Sequence, residues 1–143
     1  MYMSRLAVQF LDQGLHRVLF DAMPLPAFVV DKDVNVLECN KAAVRLFEEG
    51  QAANGSYKAG DVLHCLHTTE SPKGCGGASA CSACGLRETV RAASHGRSMM
   101  RQCAEMELVR KGKPTRVNLR ISCQPFTFNR SALILLILEG LND

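Results

Sequence analysis

Residues 100–139 read MRQCAEMELVRKGKPTRVNLRISCQPFTFNRSALILLILE, and this stretch decides the fold. Met100, Gln102, Ala104, Met106 and Leu108 alternate with Arg101, Cys103, Glu105 and Glu107. After a polar turn at Lys111-Gly-Lys-Pro114, Val117, Leu119, Ile121 and Cys123 alternate with Arg116, Asn118, Arg120 and Ser122. A period of two sends one set to a buried face and the other to water, the pattern of half-buried strands. Asn129-Arg130 turns the chain once more, into Ser131–Glu139. This last run is apolar in both registers, which predicts a central strand covered on both faces.

Upstream, Leu11, Leu15, Val18, Leu19 and Ala22 recur at helical spacing, with Leu6 and Phe10 widening the stripe, so Met3–Ala22 reads as an amphipathic helix. Pro24 and Pro26 stop it. Ala27–Val30 and Val34–Cys39 read as a hairpin around Asp31-Lys-Asp33, and Asn40 as the N-cap of a helix carrying Ala43, Val44 and Phe47. Residues 49–60 read as a loop, Asp61–Leu66 as one helical turn, and His67–Ala80 as a long irregular segment rich in Gly and Ser. Ala83–His95 reads as a second amphipathic helix, ended by Gly96. The predicted class is α+β: a five-stranded antiparallel sheet with helices on one face, and the N-terminal helix, from this chain or a partner subunit, over the last strand.

Composition fits one soluble domain, with 143 residues, 47% hydrophobic and 22% charged. The longest apolar stretch, Ala132–Leu138, is far short of the roughly twenty residues a membrane span requires. No secretory leader is legible over Met1–Arg17, so a cytoplasmic location is expected, with thiols kept reduced. Basic residues crowd Arg87–Arg130, but strand alternation there and few aromatics favour a solvated sheet face over a nucleic-acid surface. No nucleophile–base pairing, phosphate loop or carboxylate pair is legible, and no enzymatic activity is expected.

Four of the seven cysteines fall within residues 65–84, spaced Cys65-x9-Cys75-x5-Cys81-x2-Cys84. A Cys-x-x-Cys pair turns two thiolates toward one centre, and two further cysteines complete a four-thiolate set. Glycines in Lys73-Gly-Cys-Gly-Gly77 can take positive φ and aim N–H groups at sulfur, which tunes an iron–sulfur site. Cys84 opens a helix, where unpaired N–H groups favour a thiolate. Spacing leaves three readings open: an iron–sulfur cluster, a structural zinc ion, or free thiols acting as a disulfide switch. His64 and His67 flank Cys65 as substitute ligands, against the plainer reading of exposed loop histidines. His95 suits a helix C-terminus, Cys39 and Cys123 read as small core residues, and Cys103 as a more accessible but inert thiol.

The opening Leu19-Phe-Asp-Ala-Met-Pro24, then Ala27-Phe-Val-Val-Asp31 and Cys39-Asn-Lys-Ala-Ala43, resembles the start of PAS domains that precede bacterial signalling enzymes. The resemblance covers Leu15–Glu139 and rests on the order and spacing of these motifs. It implies a signal-sensing domain at 24–143 and a dimerising N-terminal helix at 1–23. The output partner would be a downstream signalling protein or an output domain outside the sequence, which ends at Asp143. The four cysteines look like those of a cysteine-rich PAS subgroup, by resemblance some iron–sulfur PAS sensors respond to oxygen, and a sensor role is what favours the iron–sulfur cluster among the three readings. Those sensors typically carry two Cys-x-x-Cys pairs, where this chain has one. Two other functions are open to such a domain: an interaction module, in which a structural Zn(Cys)4 site holds the loop and the sheet face recruits a partner, and binding of a small organic ligand in the core. The motifs of covalent haem and of flavin adducts are absent.

Overall fold

Tight turns set the register of the C-terminal sheet. In the computed structural model, which describes residues 14–46, 57–70, 72 and 74–141, Lys111 and Gly112 both take positive φ (51° and 77°) between β4 (Met99–Arg110) and β5 (Lys113–Phe128). Asn129 and Arg130 do the same (49° and 65°) between β5 and β6 (Ser131–Glu139). Two central residues with φ > 0 give the turn whose twist matches paired strands. Arg110 therefore faces Lys113 and Phe128 faces Ser131. Pro114, expected within the turn, instead lies inside β5, paired with Val109 and two residues past Gly112.

The N-terminal half adds β1 (Ala27–Val30) and β2 (Asn35–Cys39), with a two-residue β3 (Tyr57–Lys58) beyond them. The order across the sheet is β3-β2-β1-β6-β5-β4, antiparallel at every junction. The five longer strands are those expected from the sequence, and β6 is central between β1 and β5. Its Ile134, Leu136 and Leu138 are buried on one face, while Leu133, Leu135 and Ile137 are half-buried on the other. The basic residues Arg101, Arg116 and Arg120 face solvent, with Arg116 paired to Glu105 at 3.1 Å.

Helices cover the inner face. Helix α1 (Leu15–Ala22), which lies beside Val29, Leu133 and Leu135 of the other face, is followed on this one by α2 (Lys41–Val44), α3 (Ala59–Leu63) and α4 (Gly85–Ser94). Leu86 and Val90 of α4 and Val62 and Leu63 of α3 meet Phe28, Leu108, Leu119 and Leu136 of the sheet in one buried cluster. Each such side chain contributes about 1.5–3 kcal/mol when fully buried. As its residue type predicts, Asn40 caps α2, its Oδ1 accepting from the Ala43 N–H at 3.0 Å.

Three expectations need correcting. Met100 does not face inward: the register shifts between Met99 and Gln102, Arg101 sits at φ 47°, and Met100 is 67% exposed while Met99 packs on the core. A bulge of one extra residue inverts the faces on either side of it. The segment read as loop to residue 60 instead holds β3 and the start of α3, because the Asp61 carboxylate accepts the Lys58 N–H at 3.1 Å and closes the first turn two residues early. His67–Ala80 is not wholly irregular, since 3₁₀ turns occupy Leu66–Thr69 and Ser79–Ala83. At the N-terminus α1 begins at Leu15, after Gly14 in the left-handed region (φ 78°), and the helix expected from Met3 lies outside the described residues as far as Gln13. Phe47 and residues 49–56 of the expected helix and loop lie outside them too. No helix among the described residues is long and apolar enough to cross a membrane.

Candidate metal centre

The four clustered cysteines come from three local structures that converge under the start of α4. Cys65 follows α3, whose C-cap His64 takes the left-handed conformation (φ 61°) and redirects the chain. The Cys65 N–H then donates to the Gly60 carbonyl at 2.9 Å, and its own carbonyl accepts from the Thr68 N–H at 3.1 Å and the Thr68 hydroxyl at 2.8 Å. An isolated bridge pairs Cys65 with Leu108, and the Val109 N–H donates to the His64 carbonyl at 2.7 Å. The loop is thereby stitched to β4, the outermost strand of that side of the sheet.

Cys75 sits in a turn closed by the Gly77 N–H on the Gly74 carbonyl at 3.1 Å, with Gly74 and Gly76 at φ 69° and 92°. Here the positive φ expected of these glycines is used, and a Cβ at Gly76 would run into the Arg87 guanidinium. Cys81 lies inside the second 3₁₀ turn and Cys84 is its C-cap, the Cys84 N–H donating to the Cys81 carbonyl at 3.2 Å. In that geometry positions i and i+3 eclipse, so both thiols project from one side. Cys84 is the N-cap of α4 and makes no side-chain capping bond. A Cβ on Gly85 would lie 2.8 Å from the Ala104 Cβ, so only glycine lets the helix start this close to β4.

All four cysteines line one cavity of about 140 Å³, together with His67, Arg87 and the β4 residues Glu105–Glu107. Burial pushes the Cys65 thiol up; a hydrogen bond from the His67 backbone opposes that, and the neighbouring Cys84, Cys75 and Cys81 reinforce it. Arg87 Nη2 donates to Cys75 Sγ at 3.2 Å, while Arg87 Nε is buried with no hydrogen-bond partner. Gly60 forms the floor, where a Cβ would stand 2.6 Å from Cys75 Sγ. The thiols surround the space without converging on a point: among the described residues no three His, Cys, Asp or Glu side chains are arranged to hold a single metal ion.

The histidines divide. His67 lines the cavity and its Nδ1 lies 2.9 Å from Glu70 Oε1. His64 is half-buried, with Nε2 2.8 Å from the Leu46 carbonyl, and is not the exposed loop residue its sequence context suggests. His95 is the C-cap of α4, as expected. Arg87 and Gly60 escaped the sequence reading. The signal for Arg87 was its place three residues after Cys84, one helical turn along the same face.

The three scattered cysteines take the expected positions. Cys123 is buried, Cys39 packs against the core and Cys103 is exposed. Burial pushes the Cys123 thiol up to about 12. At pH 8 that leaves about one Cys123 in ten thousand as the reactive thiolate. In a timed thiol-labelling experiment Cys103 is expected to react first and Cys123 only on unfolding; early labelling of Cys123 would contradict its burial. The sign of the linkage follows. Stability from the neutral Cys123 thiol is complete below the ordinary 9.0 and is lost as the pH rises toward 12.

Comparison with known proteins places this architecture. The PAS domain of nitrogen regulation protein NR(II) from Vibrio parahaemolyticus superposes with TM-score 0.57 at 15% identity, over 89% of this chain and 98% of that one. The PAS domain of an HTR-like protein from Haloarcula marismortui gives 0.51 at 17% identity, over 90% and 96%. A chain of the DhaR(N)–DhaL complex of E. coli gives 0.52 at 13% identity, over 94% of this chain and 38% of that one. The fold is the PAS fold. Residues 11–67 also match the family described as MmyB-like transcription regulator ligand binding domain. No curated protein matches the chain.

Proposed function

We propose that the chain is a PAS-fold sensory domain that holds an iron–sulfur cluster on Cys65, Cys75, Cys81 and Cys84 and reports redox state or oxygen from the cytoplasm. The observation that carries this reading is the single cavity lined by all four thiols, with a buried and unpartnered Arg87 Nε–H in its wall. Four thiolates are the ordinary ligand set of such a cluster, and a buried N–H is satisfied by an anionic sulfur. Zinc is the weaker reading. Zn–S bonds of about 2.3 Å draw four sulfurs to within about 3.8 Å of one another, and among the described residues no three His, Cys, Asp or Glu side chains are grouped to hold one ion. The sensory role draws on the PAS domains that share the fold, and ligand binding on the family matched at residues 11–67.

When bound, the cluster would supply one-electron chemistry and sensitivity to oxygen. The chain's own residues would turn that into a structural signal. Cys84 joins the loop to the first turn of α4, which packs on β4, β5 and β6. Cys65 joins the same loop to the edge of β4. Loss of the centre would release 65–84 at both points and let α4 shift on the sheet. The opposite face carries α1 with exposed Leu37, Phe126 and Phe128, and there we place the homodimer contact or the downstream signalling partner.

The test is metal and sulfide analysis with a visible spectrum on protein purified without oxygen. Iron and sulfide near stoichiometry, with a brown colour that bleaches in air, is the expected result. Colourless zinc would make the four cysteines a structural staple. Cys84→Ala is expected to cut bound iron at least tenfold with the far-UV spectrum unchanged, since its thiol caps nothing in α4. Wild-type iron content in that variant would end the proposed mechanism.

A further inference from the structure

Among the described residues, Arg87 is the one charged side chain that lines the sulfur cavity and hydrogen-bonds a cysteine there. Its position is fixed from three sides. Residue 87 lies in the first turn of α4, directly after Cys84 and Gly85, so the backbone aims it at the sulfurs. Gly76, at φ 92°, leaves the space that the guanidinium occupies. Nη2 is engaged by Cys75 Sγ at 3.2 Å. The guanidinium is a planar fork, so once Nη2 is engaged the direction of Nε–H is no longer free.

That second donor is buried and unpaired. A donor of a charged group left without an acceptor costs more than a neutral one, so such an atom calls for an acceptor in the bound state. The cavity walls also carry Glu105 and Glu107, of which Glu105 is exposed and paired with Arg116 at 3.1 Å. A thiolate-held cluster, whose sulfurs accept hydrogen bonds, supplies an acceptor there, and the Arg87 cation offsets part of its negative charge.

We propose that Arg87 is the tuning donor of the centre, with Nη2 on the Cys75 sulfur and Nε–H on a cluster sulfide, and that it raises the reduction potential. This rests on the cluster reading above. Reduction adds one electron and therefore negative charge to the cluster; no bond to the protein forms or breaks. A cation with two N–H groups on the sulfurs stabilises the reduced form more than the oxidised one, which moves the potential up.

The experiment is a mediated dithionite titration, followed by visible absorbance, of wild type, Arg87→Met and Arg87→Lys, all loaded with iron and sulfide without oxygen. Arg87→Met is expected to lower the reduction equilibrium constant tenfold or more, and for a one-electron couple each tenfold is about 59 mV. Arg87→Lys keeps the charge but loses the fork, and is expected to fall between the two. An Arg87→Met potential equal to wild type overturns the proposal. So does complete restoration by lysine, which would mean that charge alone acts. If Arg87→Met does not fold, the Arg87→Lys shift decides by itself. Wild-type protein that takes up no iron and sulfide overturns the cluster reading itself, and this is seen before any variant is measured.

Discussion

Gly60→Ala is expected to lose at least nine-tenths of the bound iron while the protein stays folded and is, if anything, more stable. Gly60 lies inside α3 with ordinary helical φ, where alanine is favoured by about 1 kcal/mol. The added methyl meets little besides the cysteines: it would stand 2.6 Å from Cys75 Sγ, 3.2 Å from Cys75 Cβ and 3.6 Å from Cys65 Cβ. Separations below 3 Å are not tolerated in close-packed interiors, so Cys75 Sγ must leave its place and take the Arg87 contact with it. Helix stability and metal content therefore move in opposite directions. Thermal melting without metal and iron analysis after anaerobic loading would show it. Full iron content in Gly60→Ala would mean that Cys75 is not a ligand where it now stands.

Asn40→Ala is expected to carry the largest cost in stability, about 3–4 kcal/mol. The side chain is fully buried and nearly all its capacity is used: Oδ1 accepts the N–H groups of Ala27 and Ala43, and Nδ2 donates to the Leu25 carbonyl, each at 3.0 Å. Truncation removes an N-cap and leaves a strand N–H and a buried carbonyl unpaired, with about 1–3 kcal/mol for each group so stranded. The melting temperature should fall by about 10–15 °C in a domain of this size. A loss below 1 kcal/mol by denaturant titration would mean that water replaces the amide at all three partners.

Much of the fold was legible because its determinants are local. The β4–β6 meander follows from period-two alternation and from Lys111-Gly112 and Asn129-Arg130, whose positive φ fixes the pairing. Asn40 announced its cap by type and position. The errors arose where one residue breaks a period or a cap comes from downstream. The bulge at Met100-Arg101 has no residue signature of its own, and the early start of α3 depends on Asp61 reaching back to Lys58. At the site, spacing identified four cysteines that do line one cavity. It carried no distances, so it offered no way to see that they ring a space. Nor could it single out Arg87, because an arginine on an amphipathic helix ordinarily faces water.

The stitching of the cysteine loop to β4 bears on solubility. β4 is a twelve-residue strand at the margin of the sheet, and such a margin offers unpaired N–H and C=O groups to any passing chain. Along its second half that offer is declined: Cys65 pairs with Leu108, and the His64 carbonyl takes the Val109 N–H. The bulge at Met100-Arg101 twists the first half away from a flat template. A chain whose loop has been released regains a sticky margin beside buried Met106 and Leu108. Protein whose cysteine loop is detached should therefore self-associate before it unfolds, and the loop doubles as a guard against strand-to-strand aggregation.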